Sequence, residues 1–306
     1  MAREPIQRIA IIGFGEAGGI LGNELAARGL DVSTFDVLLH SKEAREAMLA
    51  KARVSKVRAA EGLSDCVRDA QLVISAVTAS SALDVAKDAS RLLRAGQTFL
   101  DINSVSPGTK QKMAEQFEKS EARFVEAAVM AAVQPQRLKV PMLLGGTTAA
   151  ELAARLSSVG MNANVASDRI GVPSAVKMCR SVVIKGLEAL AVESMFAARR
   201  YGSENEVLAS LAATFPEMGW NGKLPDYLIS RVAEHGKRRA AEMREAAQAL
   251  RDVGIDPLMA EATAERQDAL AEEIASQLRE SRAGKPFSWR ELADALDSAS
   301  KSSRKT

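Results

Sequence analysis

RIAIIGFGEAGGILGNELAARGLDVSTFD, residues 8–36, is the stretch of the sequence that decides the fold. It opens with a short apolar run that predicts a buried β-strand, and a segment with helical periodicity follows. Between the two lie Gly13, Gly15 and Gly18 in the spacing GxGxxG. A second β-rich run ends at Asp36. A strand, a glycine turn, a helix and a strand in this order predict a dinucleotide-binding βαβ unit.

The glycine turn predicts a site for a nicotinamide dinucleotide. The first glycine permits a tight turn, the second lets backbone N–H groups approach a pyrophosphate, and the third lets the helix pack on the strand. The helix N-terminus adds partial positive charge. Glycine-rich turns also arise for steric reasons alone. The predicted cofactor-binding residues are Gly13, Phe14, Gly15, Glu16, Ala17, Gly18, Asp36, Val77, Thr78 and Asn103.

Asp36 bears on the choice between NAD and NADP. A carboxylate at this position accepts hydrogen bonds from the adenosine ribose hydroxyls and repels a 2′-phosphate, which favours NAD. Lys42 and Arg45 follow closely and offer positive charge to the phosphate of NADP, so NADP is the alternative. A solvated aspartate at a strand end is the structural explanation that competes with both.

The rest of the chain predicts two domains. Strand-like runs alternate with helix-like segments as far as residue 146, which indicates an α/β Rossmann domain with a doubly wound, mostly parallel sheet. The candidate strands are RIAII, DVSTFD, QLVISAV, TFLDI, RFVEAAV and VPMLLGG. After residue 171 the β signal ends and an all-α domain is expected. We predict a dinucleotide-binding domain over 1–168, a helical substrate and dimerisation domain over 169–300, and a disordered tail over 301–306.

Two helices of the second domain can be predicted individually. One runs from Ser174 to about Arg200 and is apolar nearly all round, so we expect it to be buried in its domain or in a dimer. The last helix begins after Ser288, because Glu291 stands three residues on in the pattern of a capping box.

Composition and charge exclude several functional classes. The 306 residues carry 41 basic and 39 acidic side chains, a net charge of +2, which gives no reason to expect nucleic acid or an anionic membrane as partner. Cys66 and Cys179 lie far apart outside any metal-binding pattern, so we expect two reduced core thiols, no disulfide and no metal site. Without an apolar run of about 18 to 20 residues or a signal-like start, a cytoplasmic protein is expected.

Five segments, in order, give the chain a resemblance to the β-hydroxyacid dehydrogenases, the group that includes 3-hydroxyisobutyrate dehydrogenase and 6-phosphogluconate dehydrogenase. They are IAIIGFGEAGGILGNELAARGLDVSTFD, QLVISAVTASSALDVA, FLDINSVSPGTKQKM, FVEAAVMAAVQPQRLKVPMLLGG and GVPSAVKMCRS. The motifs KMCRS and HGKRRAAEM resemble those in the C-terminal domain of an uncharacterised subgroup of 6-phosphogluconate-dehydrogenase-like proteins. The resemblance implies a Rossmann domain, a helical C-terminal domain, a homodimer or higher homo-oligomer with sites between domains, and Lys177 as the catalytic lysine.

Two departures from the family bear on the substrate. Met130, Ala131 and Ala132 replace the Ser-Gly-Gly that holds a substrate carboxylate in the family. Ser181, preceded by Arg180, replaces an asparagine four residues after the lysine. These changes make 3-hydroxyisobutyrate and 6-phosphogluconate themselves unexpected substrates.

Hydride transfer between an alcohol and a nicotinamide needs a group that takes or returns the hydroxyl proton. Lys177 matches the family's lysine in that role, and a fixed cation such as Arg180 would lower its pKa. Helical spacing places these two residues in one polar stripe with Ser181, Lys185 and Glu188. The stripe either faces water or takes part in catalysis and substrate binding. Arg180 either binds a substrate carboxylate or pairs with Glu188 or another acid.

Other candidates have structural explanations of similar weight. Asn103 and Ser104 follow the candidate strand TFLDI, where they orient the substrate or the nicotinamide or simply form a turn. The segment from His235 to Glu242 is a solvated helix face or brings Arg238 to an anionic substrate. The predicted substrate-binding residues are Asn103, Ser104, Met130, Arg180, Ser181 and Arg238.

The sequence therefore predicts an NAD(P)-dependent oxidoreductase that acts on a small, anionic hydroxy acid or a related alcohol, with Lys177 as general acid/base. An imine reductase is the second enzymatic interpretation. A cofactor-binding protein without catalysis is the third.

Overall fold

A computed structural model of the chain describes residues 5–277 and 287–303. The chain divides into two compact units, one ending at Lys177 and the other beginning at Met178. This boundary falls later than residue 168, where the sequence places it, because the long helix that begins at Val172 is bonded to the first unit through its first turn.

The first unit is built on a single eight-stranded sheet with the order β3-β2-β1-β4-β5-β6-β7-β8. Neighbouring strands are parallel except β6 and β7, which are antiparallel. The fold predicted from the sequence, a doubly wound and mostly parallel sheet, is confirmed. The strands are β1 Arg8–Ile12, β2 Asp31–Phe35, β3 Arg58–Ala59, β4 Leu72–Ser75, β5 Thr98–Asp101, β6 Arg123–Val129, β7 Met142–Gly145 and β8 Ala163–Ser167.

Alternation along β1 shows why this segment forms a central strand. Ile9 and Ile11 belong to one apolar cluster, and Ala10 and Ile12 belong to another. Successive side chains of a strand point to opposite faces, so β1 is buried on both sides of the sheet. The strand order reverses between β1 and β4, and an open α/β sheet binds its ligand at the carboxyl ends of the strands at such a point.

Two strands were missing from the sequence prediction. β3 has only two residues, too few to show a period. β8 lies at the edge of the sheet and is largely exposed, with Val165 at 47% exposure, so it lacks the apolar run of a buried strand.

Helices cover the sheet and form the second unit. The helices that precede the unit boundary are α1 Glu16–Ala27, α2 Arg45–Val54, α3 Leu63–Val67, α4 Ala82–Leu92, α5 Pro107–Glu115, α6 Val133–Gln136 and α7 Ala149–Ser158. The remaining helices are α8 Val172–Tyr201, α9 Glu204–Thr214, α10 Leu224–Arg251, α11 Leu258–Gln277 and α12 Trp289–Ser303, and α8 contains the boundary. The prediction of an all-helical second half is confirmed over the described residues.

The second unit is held together by close helix packing. A Cβ on Gly236 of α10 would lie only 2.6 Å from the carbonyl oxygen of Gln267 on α11, so only glycine allows this approach. Trp289 of α12 is 1% exposed and packs in a cluster with Ile229 and Met195. The Ser288 hydroxyl accepts the Glu291 N–H at 3.4 Å, as the capping pattern predicts.

Part of α8 is more exposed than the sequence predicts. Val176, Val183 and Leu190 are 44%, 62% and 54% exposed and lie along one side of the helix. This side is therefore not buried within the single chain, and its burial in a dimer stays a prediction, because the apolar pattern cannot tell packing within a unit from packing against another chain. Cys179 is exposed, so the prediction of a core thiol is wrong for it, whereas Cys66 is buried.

The C-terminal end departs from the predicted tail. Helix α12 continues to Ser303, since a polar composition does not stop a helix that has already formed. Residues 304–306, also predicted to be disordered, lie outside the described residues. Among the described helices, none combines the length and the hydropathy that a membrane span requires.

Candidate active site

The three glycines of the GxGxxG motif, which runs from the loop after β1 into α1, differ in what surrounds their Cα atoms. Gly13 has φ +89°, and a Cβ on it would lie 2.4 Å from the carbonyl oxygen of Ala76. A Cβ on Gly18 would lie 2.0 Å from the carbonyl oxygen of Gly13. A Cβ on Gly15 would meet no atom within 4 Å. The first and third glycines are thus required by packing, whereas the second borders open space, where a ligand can approach the backbone.

The N-terminus of α1 is free to receive an anion. Its N-cap is Gly15, and no side chain caps the helix. The first N–H groups of a helix have no partner within the helix, and together with the helix dipole they favour a phosphate group.

Asp36 is bound to the glycine loop. One carboxylate oxygen accepts the Phe14 N–H at 2.7 Å, and the other accepts the Leu38 N–H at 2.9 Å. The half-buried side chain is thus oriented by the backbone on both sides, unlike a freely solvated aspartate at a strand end. Arg45, considered above for the phosphate of NADP, donates to the Leu39 carbonyl oxygen at 2.7 Å, and Lys42 is exposed.

A buried network ties together the loops that follow β4 and β5. The side-chain oxygen of Asn103, Oδ1, accepts the Val77 N–H at 2.7 Å, while its side-chain nitrogen, Nδ2, donates to Ser75 Oγ at 2.9 Å and to the Asp101 carboxylate. Asp101 and Lys110 form an ion pair at 0% and 1% exposure of their side chains. The side chain of Asn103 thus holds the backbone at Val77, one of the predicted cofactor-binding residues.

Burial governs the protonation of this region. It raises the pKa of the Asp101 carboxyl, against the opposing effects of the Lys110 cation and of the hydrogen bonds from Lys110 and Asn103. Burial also raises the pKa of the Glu126 carboxyl, against the attraction of the same lysine.

Glu126 anchors the start of α8 to the sheet. Its carboxylate, at 0% exposure in the middle of β6, accepts the Gly171 N–H at 2.9 Å and the Ser174 N–H at 3.2 Å. A carboxylate at this end of a helix also interacts favourably with the helix dipole. The position of the first turn of α8 is therefore fixed by a buried charge.

Lys177 follows one turn later and reaches the loop after β5. Its Nζ donates to Ser104 Oγ across 2.5 Å, and both side chains are half-buried. The structure thereby brings together two residues that the sequence singles out 73 positions apart. An amine and a hydroxyl in contact at the carboxyl edge of the sheet can exchange a proton with each other or with a ligand bound beside them.

Comparisons with known proteins agree with this geometry. Residues 8–164 match the family described as the NAD binding domain of 6-phosphogluconate dehydrogenase, and residues 198–270 match a domain of unknown function, DUF1932. An uncharacterised 28.5 kDa protein of Methanothermus fervidus is 30% identical over 84% of this chain and 96% of its own. A conserved hypothetical protein of Sinorhizobium meliloti is 34% identical, with TM-score 0.78 over 96% of this chain and 97% of its own.

The chain belongs to the 6-phosphogluconate dehydrogenase NAD-binding family. A solved 3-hydroxyisobutyrate dehydrogenase of Mycobacterium tuberculosis, with L-serine, has the same fold at 15% identity, with TM-score 0.71 over 95% of this chain and 99% of its own. The resemblance predicted from the sequence is thus confirmed, and membership of this NAD-binding family supports an NAD(P)-dependent oxidoreductase.

The cofactor of the family, NAD(P), fits the residues present. The open space at Gly15, the uncapped N-terminus of α1 and the oriented carboxylate of Asp36 lie together at the carboxyl end of β1. The N–H groups of the loop suit a pyrophosphate, and the carboxylate suits ribose hydroxyls.

In the second unit the predicted polar stripe is mostly buried. Ser181, Lys185 and Glu188 are 7%, 5% and 0% exposed, so the interpretation that they face water is wrong for these residues. Glu188 makes a two-pronged ion pair with Arg239 rather than with Arg180. The side chain of Arg180 is exposed.

The remaining substrate candidates are placed as follows. Lys185 Nζ lies 2.7 Å from Glu242, and exposed Arg238 pairs with the same carboxylate at 3.0 Å. Met130 is half-buried, and its N–H donates to the Pro141 carbonyl oxygen at 2.9 Å. Arg238 thus fits the solvated helix face that the sequence favours, whereas Arg239 does not.

Sequence reasoning missed three buried charges beside the site, Asp101, Lys110 and Glu126. A glutamate inside the apolar run RFVEAAV is the one clear signal, because a lone charge in a buried strand needs a partner. Lys110 carries no such signal, since its helix shows no strong amphipathic pattern.

Proposed function

We propose that the protein is a dehydrogenase that acts on the hydroxyl group of a small acid, with Lys177 as general acid/base. The contact between Lys177 Nζ and Ser104 Oγ carries this proposal, because it lies at the edge of the sheet where the family binds its dinucleotide. When bound, the nicotinamide ring of NAD(P) exchanges a hydride with the substrate carbon.

The residues of this chain have separate tasks in the proposed reaction. The N–H groups at Gly15 and along the first turn of α1 hold the pyrophosphate, and Asp36 holds the ribose. Asn103 maintains the backbone at Val77, which lines the cofactor. Lys177 takes the proton of the substrate hydroxyl during oxidation and returns it to the carbonyl oxygen during reduction. Ser104 keeps the amine directed at that position.

A substrate carboxylate needs a new partner, because Met130, Ala131 and Ala132 provide no hydroxyl there. Arg180 lies one turn after Lys177, is exposed, and has a fork that suits two carboxylate oxygens. We propose it as the carboxylate ligand. Ser181 and Arg238 stay predictions, since Ser181 is buried and Arg238 is paired with Glu242.

A substrate screen with matched variants tests the proposal. Wild type, Lys177→Ala and the exposed control Lys119→Ala are assayed by dinucleotide absorbance on hydroxy acids, including β-hydroxy amino acids and sugar acids. We expect turnover by wild type and by the control, and a loss of at least about 100-fold in kcat for Lys177→Ala, the typical contribution of a general acid/base. Unchanged kcat in Lys177→Ala would overturn the catalytic role.

The two other interpretations are separated by the same screen. Reduction of a carbonyl only when an amine is added would replace the proposal with imine chemistry. Binding of the dinucleotide without turnover on any substrate, unaffected by Lys177→Ala, would replace it with a cofactor-binding protein that has no catalysis.

We further propose NAD as the preferred cofactor and a homodimer or higher homo-oligomer as the assembly. Asp36 supports the first, because its oriented carboxylate would repel a 2′-phosphate. The exposed side of α8 with Val176, Val183 and Leu190 supports the second. Tighter binding of NADPH than NADH in calorimetry would contradict the first, and a monomer in sedimentation would contradict the second.

A further inference from the structure

Helix α2 places a lysine behind the glycine loop. Lys51 Nζ donates to the carbonyl oxygen of Phe14 at 2.6 Å and to that of Gly15 at 2.6 Å. The same ammonium lies 5.1 Å from the centroid of the buried Phe14 ring. One cation therefore contacts the two residues that lead into the N-terminus of α1.

A fourth glycine makes room for this lysine. Gly19 follows the GxGxxG motif, which gives no reason for it. A Cβ on Gly19 would lie 2.6 Å from both Cε and Nζ of Lys51, far inside contact distance, while its next neighbour, the Phe14 carbonyl oxygen, would be 3.6 Å away. An alanine at position 19 would therefore have to displace the flexible end of the Lys51 side chain from its place beside the loop.

We propose that Lys51 is a positioning residue for the dinucleotide, which holds the glycine loop from its carbonyl side and depends on Gly19 to reach it. This inference rests on the binding of NAD(P) at the loop. It goes beyond the proposed function because neither the glycine fingerprint nor the catalytic lysine involves helix α2.

The physical effect is on the backbone that the cofactor contacts. Each peptide group that offers its carbonyl to Lys51 turns the following N–H the other way, since the two point in opposite directions across a planar peptide. The Gly15 carbonyl also accepts the Gly19 N–H at 3.1 Å, so the cation and the helix fix the same peptide. A cation at these carbonyls further polarises the N–H groups that face the phosphates.

Apart from Lys51 and the Gly19 N–H, the loop is held on its amide side. The Gly13 N–H donates to the Phe35 carbonyl oxygen at 2.8 Å, and the Phe14 N–H donates to Asp36. Lys51 supplies the side-chain contacts on the carbonyl side, so its loss removes a partner from the Phe14 and Gly15 carbonyls without breaking the strand or the helix. Burial lowers the pKa of the Lys51 ammonium, opposed by the charge of Asp36.

A cycle of variants tests the proposal by direct binding, which needs no substrate. Wild type, Lys51→Ala, Gly19→Ala and the double variant are titrated with NADH and NADPH, with Lys56→Met as an exposed control for the loss of one positive charge. We expect each single variant to weaken both dinucleotides by about tenfold, the low end for a charged hydrogen bond. The double variant is expected to match Lys51→Ala, because an alanine at 19 has no lysine left to displace.

Thermal unfolding separates positioning from a general loss of structure. Alanine is a better helix former than glycine, so Gly19→Ala should unfold at the same or a higher temperature while binding NADH more weakly. Wild-type affinity in Lys51→Ala, or a double variant about 100-fold weaker by independent effects, would overturn the proposal.

Two further outcomes also decide against it. A loss for NADPH alone would mean that Lys51 contacts the 2′-phosphate directly rather than holding the loop. No binding of NADH or NADPH by wild type would remove the proposed function as well, which distinguishes that failure from unchanged binding in Lys51→Ala.

Discussion

Each of the two units buries a lysine against a carboxylate, and the two pairs differ in how far water is kept out. Lys110 and Asp101 in the first unit have side-chain exposures of 1% and 0%. Lys185 and Glu242 in the second have 6% and 21%. Glu242 also accepts Arg238. Besides its lysine, the carboxylate of the first pair is bonded by the neutral Asn103 amide and is closed to water, whereas the carboxylate of the second pair has a second cation and is partly exposed.

The surroundings of the two pairs point to different consequences. Asp101 stands at the end of β5 and binds Asn103, which holds the backbone at Val77. Lys185 and Glu242 join two helices, α8 and α10. Because a buried charge left alone is costly, the first pair fixes loops beside the candidate active site, while the second fixes helix packing.

Replacing each lysine with methionine gives the largest expected effect. Lys110→Met leaves Asp101 buried without its cation and should cost about 3–5 kcal/mol in the free energy of unfolding. Lys185→Met should cost about 1 kcal/mol, because Glu242 keeps Arg238 and some hydration. Circular dichroism during denaturant unfolding follows the whole chain, and the fluorescence of Trp220 and Trp289 follows the second unit. Equal losses would remove the contrast between the pairs.

The same two variants should differ in cofactor binding. Lys110→Met disturbs the chain of bonds that ends at Val77, so NADH should bind more weakly wherever the variant is still folded. Lys185→Met should bind NADH as wild type does. If Lys185→Met weakened binding more, the assignment of the first pair to the cofactor loops would be wrong.

A second pair of variants compares a buried glutamate with an exposed one in the first unit. Glu126→Gln replaces a carboxylate that accepts two N–H groups with an amide that offers one acceptor, and should cost about 3 kcal/mol. Glu151→Gln, whose side chain is 38% exposed and pairs with Arg123, should cost about 1 kcal/mol or less. Denaturant unfolding measures both. Similar losses in the two variants would mean that the buried bonds of Glu126 to the start of α8 stabilise the protein no more than an exposed ion pair does.

The sequence predicts the scaffold better than the site. The six strands other than β3 and β8, and the glycine loop, follow from apolar runs of strand length and from glycine spacing, both of which are local. The Lys110–Asp101 pair joins residues nine positions apart on different elements, and Lys51 reaches a loop 36 positions earlier. Such contacts depend on how elements pack. The sequence identifies Lys177 as a site residue only through the family resemblance. It does not predict the contact of this lysine with Ser104.

The two thiols extend the comparison to reactivity. Burial raises the pKa of Cys66 from 9.0 to about 11, while Cys179 in the second unit is exposed. Ellman's reagent at pH 8 should therefore modify one thiol in the native chain and two in denaturant. In Cys179→Ala the native chain should show none. Two reactive thiols in the native wild type would mean that the first unit opens readily around β1.

The same shift predicts a loss of stability at alkaline pH. The unfolded thiol ionises at about 9 and the folded one at about 11, so the stabilising contribution of Cys66 is complete below pH 9 and is lost as pH rises through 11. The loss approaches about 3 kcal/mol, since one pKa unit corresponds to about 1.36 kcal/mol. Denaturant unfolding from pH 8 to 11 should show a shallower decline in Cys66→Ala than in wild type. Parallel declines would contradict the assignment to this thiol.

The smallest expected effect compares helix caps in the two units. Ser106 caps α5 and accepts the Thr109 N–H at 3.3 Å while 1% exposed, and Ser288 accepts the Glu291 N–H at 3.4 Å near the surface. Ser106→Ala should cost about 1 kcal/mol and Ser288→Ala about 0.5 kcal/mol, because water can replace only the second hydroxyl. Replacement by threonine, which keeps the hydroxyl, should recover most of each loss. Equal costs for both alanine variants would show that the cap bond itself, and not its burial, sets the effect.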